Sequence, residues 1–145
     1  MKIAGAHILP VPRERAFTAL QDPAVLAAAM PGCESLERIA DGEYALRMKM
    51  MLAAFSGQFS GKVRISDSIP PECFRLAVEG SGKVGFMKGE GLLRLTEEEG
   101  GRTNVSFDGE VQVGGTIAAV GQRLIDSTSR MMIKRFFDKL AESVT

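Results

Sequence analysis

The sequence predicts an α+β fold in which a curved antiparallel sheet grips a long C-terminal helix. Three observations carry this prediction. From Gly32 to Gly114, apolar and polar residues alternate with a period of two, interrupted by hairpin signals. Two short helical segments precede that region. From Thr116 to Val144, apolar residues recur near helical spacing, and such a face must be covered by another layer. The 145 residues, 45% hydrophobic and 25% charged, fit a single domain over 1–145.

Taken in order, KIAGAHIL reads as a first strand ended by Pro10. Pro12 suits the first turn of a helix over PRERAFTALQ, whose apolar stripe is Ala16, Phe17 and Leu20. Asp22-Pro23 starts a second helix, with Asp as N-cap, and Pro31-Gly32 stops it. CESLERIA and EYALRMKM flank the turn signal Asp41-Gly42. In the second of these, Tyr44, Leu46, Met48 and Met50 share one face. The doublet Met50-Met51 breaks phase and sets the next turn near Ala53-Ala54. Phe55, Gly57, Phe59, Gly61, Val63 and Ile65 then face inward. Pro70-Pro71 connects to a strand with Phe74, Leu76, Val78 and Gly80 inward. Two more strands present Met87, Gly89, Gly91, Leu93 and Leu95, then Val105, Phe107, Gly109, Val111 and Val113, with Gly100-Gly101 between them. The last segment is expected to be one helix of about 28 residues, about 42 Å long, with Thr116 as N-cap. Its stripe is Ile117, Val120, Leu124, Thr128, Met131 and Leu140, with Met132 and Phe136 beside it.

Six glycines, Gly57, Gly61, Gly80, Gly89, Gly91 and Gly109, fall on the inward face. Glycine inside a strand marks a bend or a close approach, and a sheet that curls around a helix needs bends. The same glycines also remove side-chain volume from the interior. Met48, Met50, Met87, Met131 and Met132 are adaptable fillers. Two interiors fit this pattern: an apolar cavity that re-packs around a guest, or a fully packed core.

The chain offers little chemistry. Lys plus Arg equals Asp plus Glu at 18 each, which lacks the basic excess of a general nucleic-acid binder. The two cysteines, Cys33 and Cys73, read as free thiols in a reducing compartment. No signal peptide or apolar run of membrane-spanning length is read, so a cytoplasmic location is expected. Spacings for zinc or for a phosphate-binding loop are missing. The only histidine, His7, shares a strand face with Ile3 and Leu9 and is expected to point inward. Cys33 and Glu34, adjacent in MPGCESLERI, invite a nucleophile–base reading, but alternation sends them to opposite faces. A Cys33–His7 pair is the remaining option that sequence leaves open. Tyr44 and Thr128 are the polar candidates on the inward face, able to orient a ligand oxygen. Arg123, Arg130, Lys134 and Lys139 share a sector of the last helix, with Asp126–Arg130 and Lys134–Asp138 at i,i+4 spacing. That sector is a solvated face, or a weak surface for anionic membrane or an acidic partner.

Asp22-Pro23, MPGCESLERI, FSGQFSGKVRI, GSGKVGFMKGEGLLRL and GGTIAAVGQRLI together resemble the G subunit of carbon monoxide dehydrogenase, over nearly the whole chain. That family lies in the SRPBCC (START, polyketide cyclase) superfamily. The resemblance implies a helix-grip fold with seven strands, KIAGAHIL being the seventh, and a lipophilic pocket between sheet and helix. The expected lining is Tyr44, Leu46, Met48, Met50, Phe59, Leu76, Met87, Phe107 and Val111 from the sheet, and Leu124, Thr128, Met131 and Met132 from the helix. It also implies service to a molybdenum hydroxylase, by handling a lipid or quinone-like molecule, by assembly, or by recruitment to the inner face of a membrane. No cofactor or metal is expected. A non-catalytic carrier is the first reading, an assembly factor the second, and a cyclase or hydrolase the third. Access to the pocket is expected near the exit of the second short helix, AAAMPG.

Overall fold

Seven strands form one antiparallel sheet in the order β1-β7-β6-β5-β4-β3-β2. The computed structural model describes residues 1–52 and 55–144, with backbone alone at 51, 52 and 55. The strands are β1 (Lys2–Leu9), β2 (Cys33–Ala40), β3 (Glu43–Leu52), β4 (Phe55–Ile69), β5 (Cys73–Gly82), β6 (Gly85–Glu98) and β7 (Arg102–Gly114). Helices α1 (Arg13–Leu20) and α2 (Pro23–Ala29) lie between β1 and β2, and α3 (Gln122–Val144) follows β7. The helix-grip expectation therefore holds in strand number, order of elements and direction of pairing.

Local chemistry explains the boundaries. Asp22 caps α2 by accepting a hydrogen bond from the Ala24 N–H at 2.9 Å, with Pro23 as the first helical residue. Pro12 is the N-cap of α1, one position before the expected first turn. Gly42 takes a φ of 69° in the β2–β3 turn, a left-handed conformation that costs glycine nothing. The expected turn at Ala53-Ala54 and the inward side chain of Phe55 lie outside the described residues.

The inward faces follow the alternation. Tyr44 pairs with Val63, Leu46 with Gly61, and Met48 with Phe59 across β3 and β4. Gly61 also pairs with Gly80, and Gly91 with Gly109. A methyl group added at Gly61 would run into the Glu79 carbonyl oxygen, and one at Gly109 into that of Glu90. Glycine is therefore required where β4 meets β5 and β6 meets β7 so closely. The only buried polar side chain among the described residues, Thr103, donates to the Val11 carbonyl at 2.7 Å and ties β7 to the link between β1 and α1.

The C-terminal segment departs from expectation. Thr116–Val120 is a separate 3-10 turn, and Gly121, with φ 99° and ψ 153°, breaks the chain before α3 begins. Thr116 thus does not cap the long helix, which has 23 residues and is about 35 Å long. The break shifts the helical phase. The buried residues of α3 are Phe137, Leu140 and Val144, with Ile133, Phe136 and Ala141 packed beside them. Leu124, placed on the inward stripe by spacing, is exposed.

Candidate functional site

The inner face of the sheet carries two apolar clusters. One joins Tyr44, Leu46, Met48, Met50, Phe59, Val63 and Ile117. Met30, Cys33, Leu36, Val78, Val84, Met87, Val113 and Met132 border it. The other joins α1 and the end of α3 to β1, β5, β6 and β7, with Leu9, Phe17, Phe74, Val105, Phe137 and Leu140 at its centre. Ile65 and Leu76 touch both. Of the thirteen residues expected to line a pocket, five are buried together in the first cluster, and Leu76, Met87 and Met132 border it. Phe107 belongs to the second cluster. Val111, Thr128 and Met131 are half-buried outside both. Sequence reasoning missed Ile117, which the 3-10 turn folds back onto the sheet, where its N–H reaches the Val84 carbonyl at 2.8 Å.

Two polar groups enter this apolar interior. Tyr44 is only 8% exposed, and its hydroxyl makes no hydrogen bond among the described residues. A hydroxyl cut off from water and left without a partner costs about 1–3 kcal/mol. His7 lies flat on Phe137, with ring centroids 4.4 Å apart and an interplanar angle of 11°. Phe107 lies nearly parallel to both rings, 6.0 Å from His7 and 6.1 Å from Phe137. Burial lowers the pKa of His7 below its ordinary value of 6.5, with Asp138 opposing the shift and Lys134 adding to it.

Geometry separates the two members of the Cys-Glu pair. Cys33 points inward toward the first cluster and its thiol contacts the Ser35 carbonyl at 3.6 Å. Burial raises its pKa, so the thiol stays protonated at neutral pH and is a poor nucleophile. Glu34 lies exposed on the other face and accepts from Gln58 at 3.4 Å. His7 and Cys33 sit on β1 and β2, the opposite edges of the sheet. Among the described residues, no three His, Cys, Asp or Glu side chains come together in a group able to hold a metal ion. On the outer face, a depression of about 280 Å³ lies over the Gly61–Gly80 pair, edged by Ser60, Glu79, Ser81, Phe86 and Lys88. No helix among the described residues is long and apolar enough to cross a membrane. The expected ion pairs Arg130–Asp126 and Lys134–Asp138 close at 3.0 and 2.8 Å on the solvent side of α3.

This arrangement is shared with solved structures. A conserved protein from Geobacillus kaustophilus is 30% identical, with a TM-score of 0.96 over 99% of this chain and 95% of that one. A protein of Thermus thermophilus is 18% identical, with a TM-score of 0.73 over 99% and 97%. The Zhui aromatase/cyclase from a Streptomyces species is 11% identical, with a TM-score of 0.70 over 99% and 93%, a likeness of fold alone. No curated protein matches the chain. The family model for the G subunit of carbon monoxide dehydrogenase (CoxG) matches residues 5–145, which takes in the sheet, both short helices and the gripped helix. With fold and family model in agreement over nearly its whole length, the chain belongs to the carbon monoxide dehydrogenase CoxG family, within the SRPBCC superfamily.

Proposed function

We propose that this protein is a non-catalytic carrier that holds a lipophilic small molecule, a lipid or quinone-like compound, between the sheet and α3, and that it serves a molybdenum hydroxylase. The observation that carries this reading is the Tyr44 hydroxyl, held without a hydrogen bond in an apolar cluster of methionine, leucine and phenylalanine. A guest oxygen would supply the missing partner, and Met48, Met50, Met87 and Met132 can re-pack around the rest of it. The residues proposed to contact the guest are those expected from sequence, less the exposed Leu124 and with Ile117 added. Access lies at the exit of α2, where Met30 borders the same cluster. Membership of the CoxG family supports an accessory role beside carbon monoxide dehydrogenase. The proposed setting is the cytoplasm, with peripheral contact at the inner face of a membrane during loading.

Native mass spectrometry of protein purified without detergent tests this reading. The expected result is a protomer carrying one co-purifying apolar molecule that survives gentle ionisation and is lost on activation. An apo spectrum, together with failure to take up a short-chain quinone or a lysolipid, would overturn it. The second reading is an assembly or membrane-recruitment factor without a ligand, and kinship with a subunit of a larger enzyme favours it. Capture of the hydroxylase by an apo protein that takes up neither probe would establish that alternative.

A further inference from the structure

The two edges of the sheet are built differently. β2 carries bulges between Cys33 and Ser35 and between Arg38 and Ala40, holds Glu34, Glu37 and Arg38, and is packed by α2. These are the devices that keep an edge from pairing with another chain. β1 has none of them: its register with β7 is unbroken from Lys2 to Leu9, it contains no proline, and Lys2 is its only formal charge. Met1 and Val111 exchange hydrogen bonds of 3.0 and 2.8 Å. In antiparallel alternation, Ile3, Gly5, His7 and Leu9 therefore direct their backbone groups to β7. Lys2, Ala4, Ala6 and Ile8 direct theirs off the free edge, where none has a hydrogen bond among the described residues. All four are exposed, as is Gly5.

We propose that β1 is a homodimer interface, pairing antiparallel with β1 of a second copy across a two-fold axis at Gly5. A two-fold contact must be self-complementary, and this register is. It sets Lys2 opposite Ile8 and Ala4 opposite Ala6 on the outer face, and Ile3 opposite His7 on the inner. No like charges meet, and it is the one symmetric register that engages the N–H and C=O groups of all four free residues. On the axis, glycine meets glycine at the closer kind of antiparallel pair. A side chain at Gly5 would crowd the Phe107 ring, since its Cβ would fall 2.8 Å from that ring's Cζ. The result is a continuous sheet of both protomers, with the two His7–Phe137 stacks flanking the axis.

Sedimentation equilibrium on full-length protein tagged at its C-terminus tests the proposal. The wild type should sediment at twice the protomer mass, and its Lys2, Ala4, Ala6 and Ile8 amides should exchange slowly with deuterium. Ala6→Pro removes an N–H that β7 does not use, and should give a folded monomer. Ile8→Lys, at an exposed position, places a lysine opposite Lys2 and should weaken the dimer about tenfold. Adding Lys2→Glu to that variant should restore the affinity. A wild type that stays monomeric would overturn the proposal. So would an Ile8→Lys dimer of undiminished affinity, or a weakened one that Lys2→Glu does not rescue, because the register would then be wrong.

Discussion

At the scale of single residues, Tyr44 and His7 are the informative side chains, and each makes a separate prediction. Tyr44→Phe removes only the unpaired hydroxyl. It should leave the melting temperature of ligand-free protein unchanged or slightly raised, while weakening retention of an oxygen-bearing guest about tenfold in a titration. His7 tests the inner stack. Its folded pKa lies below 6.5 because burial disfavours the imidazolium, so the unfolded chain binds more protons in the range just beneath that value. The stability it contributes is present above pH 6.5 and declines as pH falls toward the folded pKa. His7→Phe keeps a ring on Phe137 without a proton to take up, so denaturant midpoints of the variant should fall less than those of the wild type from pH 7 to pH 5.5. Alternation suffices to place both residues inward. It does not reveal that the Tyr44 hydroxyl has no partner, because that depends on what lies across the interior. Nor does it show His7 stacked on Phe137, a contact that spans the first strand and the last helix.

Among the elements, strands are more legible than helices. A period of two survives any later rearrangement, since each pair of neighbours fixes the next, and the inward sets of β3, β4, β6 and β7 follow it. The final helix departs from its spacing because Thr116–Val120 imitates a first helical turn, while Gly121 looks like a tolerated interior glycine. Its φ of 99° and ψ of 153° are open to glycine and strained for any other residue. Gly121→Ala should therefore cost about 1–3 kcal/mol in chemical denaturation, although nothing lies within 4 Å to clash with the added methyl group. The same break resets the helical phase and explains why Leu124 is exposed while Phe137 and Leu140 are buried. The cap of α2 is readable because Asp-Pro is a local signal. Asp22→Ala should destabilise by about 1 kcal/mol, seen as a lower urea midpoint with an unchanged slope.

For the whole molecule, the sheet, its two helical satellites and the gripped helix are legible because each rests on local pattern. The division of the interior into two clusters is not. It depends on how far α3 stands from the middle of the sheet, where Gly89, Gly91 and Gly109 provide no bulk. If a guest occupies that region, stripping it should lower the melting temperature by roughly 5–10 °C, because a ligand held at a hundred times its Kd adds about 2.7 kcal/mol. Refilling with the extracted molecule should return the loss, as scanning calorimetry would show. The strand order has a further consequence, for synthesis. Every pairing from β2 through β7 joins sequence neighbours, but β1 must find β7, with Lys2 beside Glu110. At about 5–20 residues per second, a ribosome makes β1 several seconds before its partner exists. For that interval, KIAGAHIL is a nascent strand with both edges bare, and holding it soluble is work for a chaperone at the tunnel exit.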